Sequence, residues 1–278
     1  MPSIRPLLAI LCLGWASLVC AADPARPSTA QPNVSVWPEA LPMPGLNRTR
    51  QIRVYLPPGY AESTKRYPVL YMHDGQNLFD DATSYSGEWG VDETLNALAR
   101  EGKLELIVVG IDNGGDKRMT ELNGFDDSEA GKKEGEAYVR FIVETVKPLI
   151  DQRLRTRPER QYTGIMGSSM GGLISHYAIA RYPQVFGKAG VFSPSYWIAP
   201  SAKAYLHSHP LPADARVDIV IGGFETGAVS DALAMYEFML AEGRSSQVTR
   251  YHMNPIGVHH ESFWRQELAR SLLWLYAE

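Results

Sequence analysis

The run Gln161-Tyr162-Thr163-Gly164-Ile165-Met166-Gly167-Ser168-Ser169-Met170-Gly171-Gly172-Leu173 is half apolar and passes straight into a helical pattern from Leu173 to Ala180. It carries the G-x-S-x-G spacing, in which a serine stands above the end of a sheet on a cramped strand-to-helix turn. Such a turn needs small flanks, here Gly167 and Gly171, because larger side chains would collide with neighbouring backbone. Ser169 is therefore the candidate nucleophile. A glycine-rich helix start capped by Ser168 or Ser169 would have the same local spelling. The reading thus depends on whether a base and an acid follow downstream.

The surrounding pattern supplies the sheet such a turn requires. Strand patterns fall at Thr49 to Leu56, Pro68 to Met72, Leu106 to Ile111, Phe186 to Phe192, Val217 to Ile221 and Val248 to His252. Helical spacing covers Val91 to Arg100, Glu134 to Ile150 with an interruption at Pro148, Val229 to Ala241, and Phe263 to Tyr276. Apolar strands alternating with helices predict a mostly parallel sheet covered on both faces. The long polar, glycine-rich segment Asp112 to Lys133 reads as a functional wall.

A neutral serine hydroxyl attacks a carbonyl slowly, so it needs a base and a group that orients the base. In an α/β-hydrolase these follow in the order serine, acid, histidine, after later strands. His259 and His260 both stand between the last strand and the terminal helix, and position alone does not separate them. Glu225 lies four residues beyond the strand ending at Ile221. Asp231 is the alternative acid, although it falls inside the next helical pattern, and a Ser-His pair needs neither. An oxyanion would be held by the N–H of Met170 and a second N–H from Gly75 or Gln76, with Gln76 preferred. Trp89, Asn113, Arg118, Tyr196 and Trp197 lie in or beside loops at the same sheet end and are candidate substrate contacts. Each also has a plain structural reading: Trp89 and Trp197 as core caps, Arg118 as the partner of Asp112 or Glu121.

The first 22 residues have a basic start at Arg5, an apolar run from Leu7 to Val19 and small residues at Ala21-Ala22, the layout of a signal peptide. A periplasmic or secreted product is expected, with a flexible or irregular arm over 23–45 and one catalytic domain over 46–278. A lipidated Cys20 is disfavoured by the bulky Val19 before it. Both cysteines, Cys12 and Cys20, lie in the leader, which leaves no disulfide or thiolate metal site beyond it. His73-Asp74 has neither the spacing nor the number of ligands a metal site requires, and His73 reads as a structural hydrogen-bonding residue. With 27 basic and 31 acidic residues spread without blocks, the chain has no nucleic-acid footprint. The apolar leader is too short for an ordinary span, and no stable membrane insertion is expected.

Five segments together carry a resemblance. They are His73-Asp74-Gly75-Gln76-Asn77-Leu78-Phe79-Asp80; Gly110-Ile111-Asp112-Asn113-Gly114 with Arg118 and Glu121; Gly167 to Gly172; Phe192-Ser193-Pro194-Ser195; and His259-His260-Glu261-Ser262-Phe263-Trp264-Arg265. From about Arg48 to Tyr276 the chain resembles the esterase D-like α/β-hydrolases, a family related to enterochelin esterases and feruloyl esterases. The resemblance implies a three-layer α/β-hydrolase sandwich and hydrolysis of a carboxylic ester through an acyl-serine, with no cofactor. It favours His259 over His260, because the family's histidine stands five residues before the tryptophan represented by Trp264. It favours Glu225 as the acid, although Gly222-Gly223-Phe224-Glu225 departs from the commoner Gly-Thr-Lys-Glu. The substrate implied is a small-molecule or oligosaccharide ester, such as a siderophore lactone or a feruloyl or acetyl ester. Acyl transfer to a sugar or lipid, and ligand binding without catalysis, are the competing readings.

Overall fold

In the chain's computed structural model, which describes residues 26–277, an eight-stranded sheet runs through the molecule. Five strands at its centre and one side are parallel neighbours: β6 (Ile107–Ile111), β5 (Val69–His73), β7 (Thr163–Ser168), β8 (Lys188–Phe192) and β9 (Arg216–Gly222). On one flank β10 (Thr249–Asn254) extends the sheet in parallel. On the other, β4 (Ile52–Tyr55) and then β1 (Val34–Val36) run antiparallel. A separate short pair, β2 (Leu41–Met43) and β3 (Arg48–Arg50), precedes β4.

Successive side chains on a strand point to opposite faces, and both faces here are apolar. Val69 and Tyr71 of β5 enter one core, where α3 (Gly135–Phe141), α5 (Met170–Arg181), α6 (Ala202–Ser208) and α7 (Ala228–Ala241) contribute Val139, Leu173, Leu206 and Met235. Leu70 and Met72 enter the other, against Leu95 of α1 (Val91–Arg100) and Leu268 and Leu272 of α8 (Glu261–Leu275). The result is the expected mostly parallel sheet between two helical layers.

Three local features depart from the sequence reading. Residues expected as an irregular arm include β1, the edge strand of the main sheet, so that arm is part of the hydrogen-bonded fold. The wall segment Asp112 to Lys133 contains a short helix, α2 (Arg118–Glu121). Pro148 does not break its helix. A π-helical turn, Ile142–Val146, joins α3 to α4 (Lys147–Arg153), and Lys147 N–H reaches Ile142 O. The wider turn absorbs the ring and missing N–H that would otherwise break an α-helix. The expected leader, with Cys12 and Cys20, lies outside the described residues. Among the described residues no helix is long and apolar enough to cross a membrane.

Candidate active site

Because β5, β7, β8, β9 and β10 are parallel, the loops that follow them emerge at one edge, the usual location of ligand sites in open α/β sheets. Ser169 lies between β7 and α5 with φ 59° and ψ −120°, a sparsely populated conformation for any residue other than glycine. Its N–H donates to Phe192 O at 2.9 Å, and its carbonyl accepts from Ser195 N at 3.2 Å. The turn is also crowded at its glycines. A Cβ on Gly167 would stand 3.0 Å from Gly171 and from the His73 ring, and one on Gly172 only 2.5 Å from Phe192 O. Met170 begins α5, so its N–H has no intrahelical acceptor.

Glu225 follows β9 and is buried. Its Oε2 meets His259 Nδ1 at 2.6 Å. Its Oε1 accepts from Gly222 N at 2.8 Å and Ser193 Oγ at 2.6 Å, so both oxygens are engaged. Ser193, in the left-handed region at φ 42°, in turn accepts from Trp264 Nε1 at 2.9 Å. The His259 ring stands edge-on to Trp264, centroids 5.2 Å apart, and its side chain is half exposed. A histidine held through Nδ1 by a carboxylate presents Nε2 for proton transfer. Ser169 Oγ itself hydrogen-bonds Ser195 Oγ at 3.2 Å.

The other candidate histidine and acid are used locally. His260 is the N-cap of α8, accepting from Ser262 N at 3.1 Å. Asp231 sits in the first turn of α7, and the carboxylate against His259 belongs to Glu225.

Across the edge, the loops after β5 and β6 are stapled together. Arg118 donates to both oxygens of Asp74, at 2.6 and 2.9 Å, and Asn113 Nδ2 donates to Asp74 Oδ1 at 2.7 Å. Burial works to raise the Asp74 carboxyl, but Arg118 and Asn113 outweigh it and hold it below the ordinary carboxylate value. Gln76 lies in a 3-10 turn, Gly75–Asn77, and its Oε1 accepts from Asn113 N at 3.0 Å. The partner of Arg118 is thus Asp74; Asp112 pairs with Arg53 and Glu121 with Arg48 and Arg50.

The expected aromatic walls divide. Trp197 is 68% exposed and lines a shallow pocket of about 170 Å³ with Ser195, Phe224, Glu225 and His259. Trp89 is buried, stacked on Trp264 at 5.6 Å and packed against Phe192 at 5.1 Å, which makes it a core cap and not a wall of that pocket. Tyr196 is also buried, its hydroxyl 2.6 Å from His176 Nδ1. Asn113 and Arg118 face Asp74. A larger cleft of about 1290 Å³, lined by Pro68, Gln161 and Lys188, lies at the opposite ends of the strands, away from Ser169 and His259. Sequence reasoning overlooked Ser193, Ser195 and Phe224. The first two stand in a segment already singled out at a strand end, but their hydrogen bonds depend on chain brought together from elsewhere.

Two buried histidines carry a pH signature. Burial lowers His73, whose Nδ1 meets Tyr138 Oη at 2.8 Å, to about 4, and His176 to about 3. In the unfolded chain each takes up a proton near pH 6.5, well before the folded one does. Their contribution is therefore fully present above pH 6.5 and is lost as pH falls toward those lower values, at about 1.4 kcal/mol per pH unit for each histidine. His176→Gln should make the wild-type loss of stability between pH 6 and 4 shallower by about that slope. Urea unfolding at each pH measures it; parallel wild-type and variant curves would sink the assignment.

A covered, mostly parallel sheet with a serine on a strained strand-to-helix turn defines an α/β-hydrolase. The family model described as "Putative esterase" matches residues 44–275, and the chain belongs to that family. Over 245 residues it is 27% identical to the "Uncharacterized protein YbbA" of Bacillus subtilis (strain 168), covering 82% of this chain and 93% of that one. It is 27% identical over 164 residues to an endo-1,4-beta-xylanase/feruloyl esterase of Xylanibacter ruminicola, matching 58% of this chain but only 21% of that longer protein. A solved ferulic acid esterase superposes with a TM-score of 0.65 at 21% identity, covering 88% of this chain and 98% of the other, a likeness of fold.

Proposed function

We propose that this protein is a serine-dependent carboxylic-ester hydrolase working through an acyl-serine. The observation that carries this reading is the 2.6 Å contact of His259 Nδ1 with the buried Glu225, at the same sheet edge as the strained Ser169 turn. In the first half-reaction, Ser169 Oγ leaves its bond to Ser195 and attacks the ester carbonyl as His259 Nε2 takes its proton. His259 then gives that proton to the departing alcohol. In the second, His259 activates water, which attacks the acyl-serine and releases the acid. The N–H groups of Met170 and Gln76 hold the oxyanion in both halves. Asp74, Asn113 and Arg118 fix the loop that carries Gln76.

For the acyl group, the reading is an aromatic acid of the hydroxycinnamoyl kind. Trp197 and Phe224 expose 68% and 65% of their surface beside His259, and the shallow pocket suits one planar ring better than a long chain. A relative named as a feruloyl esterase and a structure of similar fold named as a ferulic acid esterase agree with this chemistry. The leader-like Arg5 and Leu7 to Val19 fit a substrate outside the cytoplasm.

The test is a screen of purified protein against acetyl, butyryl, feruloyl and catecholate-lactone esters, with Ser169→Ala as control. Trp197→Ala should raise KM for the feruloyl ester by roughly 2- to 10-fold and leave the acetyl ester unchanged, since a lost aromatic face costs roughly 0.5–1.5 kcal/mol. Equal effects on both esters would remove Trp197 from the acyl site.

A further inference from the structure

Apart from the Ser169 edge, the start of α1 gathers three carboxylates. Glu88 precedes the helix, and Asp92 and Glu93 lie in its first turn. One ligand oxygen from each lies within 4.8 Å of the other two. Glu93 is exposed, but Glu88 is 6% and Asp92 0% exposed.

Each buried carboxylate spends one oxygen on the chain segment that crosses it. Glu88 Oε1 accepts from Thr29 Oγ1 at 2.9 Å, and Asp92 Oδ2 from Gln31 N at 2.8 Å. The remaining oxygens, Glu88 Oε2 and Asp92 Oδ1, are buried and have no hydrogen-bond partner among the described residues. A buried carboxylate oxygen without a donor is costly unless a cation or a proton neutralises it. The positive end of α1 favours acids there without neutralising them. Arg265, half exposed, stands 3.7 Å from Glu88 Oε1, the oxygen already bonded to Thr29.

We propose that Glu88, Asp92 and Glu93 bind a divalent cation of the calcium class, one oxygen from each, with water completing the shell. The donor set is all oxygen, which suits a hard cation and not zinc. Calcium accepts a flexible shell of oxygens, whereas magnesium demands near-ideal octahedral geometry and keeps most of its water, so an irregular trio of carboxylate oxygens within 4.8 Å of one another suits the larger ion. Cysteine and histidine spacing could not reveal such a site, because its ligands are acids at i, i+4 and i+5. Its role is a staple. The same carboxylates hold Thr29 and Gln31, and Gln31 Nε2 also reaches Glu93 Oε1 at 3.1 Å, so the ion fastens the segment leading into β1 onto α1.

The experiment uses the purified chain stripped with EDTA, titrated with calcium chloride by calorimetry and melted with and without the ion. Calcium should bind with measurable heat and raise Tm by roughly 5 °C at 100-fold excess over Kd, with a smaller effect of magnesium at equal concentration. Asp92→Asn, which preserves shape, should abolish the shift. Glu93→Gln, at an exposed position that does not threaten folding, should weaken calcium affinity at least 10-fold. No heat and no shift in the wild type would overturn the proposal and leave a shared proton as the neutralising charge. An undiminished shift in both variants would overturn it as well, because the ion would then bind elsewhere.

Discussion

Ser169→Ala should lower kcat for an activated aryl ester by at least about 10⁴-fold while Tm moves by no more than about 2 °C. The rate effect is large because nucleophile, base and acid act as a unit, and losing the attacking atom removes the covalent route altogether. The stability effect is small because the side chain ends in one hydrogen bond, to Ser195 at 3.2 Å, and the turn is held by backbone bonds to Phe192 and Ser195 that alanine retains. Alanine also meets the same backbone strain at φ 59° as serine, so the strain term nearly cancels. Steady-state kinetics on active-site-titrated protein and a thermal melt check both parts. Retained turnover by a well-folded Ser169→Ala protein would end the acyl-serine reading.

His259→Ala should cost about 10³–10⁴ in kcat, and the neighbouring His260→Ala less than about threefold. The two differ in what holds them. His259 is locked through Nδ1 to Glu225, whereas His260 spends its ring nitrogen on the first turn of α8. Losing that cap should lower stability by about 1 kcal/mol and leave the chemistry alone. Glu225→Gln probes the same pairing more finely. Gly222 N–H and Ser193 Oγ both donate to Oε1, so the amide oxygen of glutamine takes that place and its NH₂ turns toward His259. Nδ1 must then accept, the ring proton moves to Nε2, and the base that should deprotonate Ser169 is already protonated. The expected loss is about 10²–10⁴ in kcat with little change in folding. Equal losses at His259 and His260, or a fully active Glu225→Gln, would contradict these roles.

Much of this arrangement can be read along the chain because it is built from local rules. Gly167 and Gly171 around Ser169 spell a crowded turn that favours small residues, and Val91 to Arg100 carries its helix in its spacing, with the observed bounds. Strand alternation and short apolar runs similarly predict the covered parallel core. Other expectations turned on partners that only folding supplies. Arg118 finds Asp74 across two loops, not Asp112 or Glu121 near it in sequence. Trp89 goes inward because Trp264 and Phe192 complete a packed aromatic cluster around it. Pro148 stays within a helix because a π-turn opens just before it.

The sequence by itself determined the central strands and main helices, their order, and the serine turn, since steric exclusion and hydrophobic periodicity act over a few residues. Only the tertiary structure decided which carboxylate meets which histidine, how Ser193 and Trp264 hold that carboxylate, and that Glu88, Asp92 and Glu93 converge with two orphaned oxygens. Hydrogen bonds and ion pairs form across 2.5–3 Å of space between residues far apart in the chain. Parallel strands bring the ends of β5, β7, β8, β9 and β10 to one edge, and that convergence turns separate loops into a single candidate site.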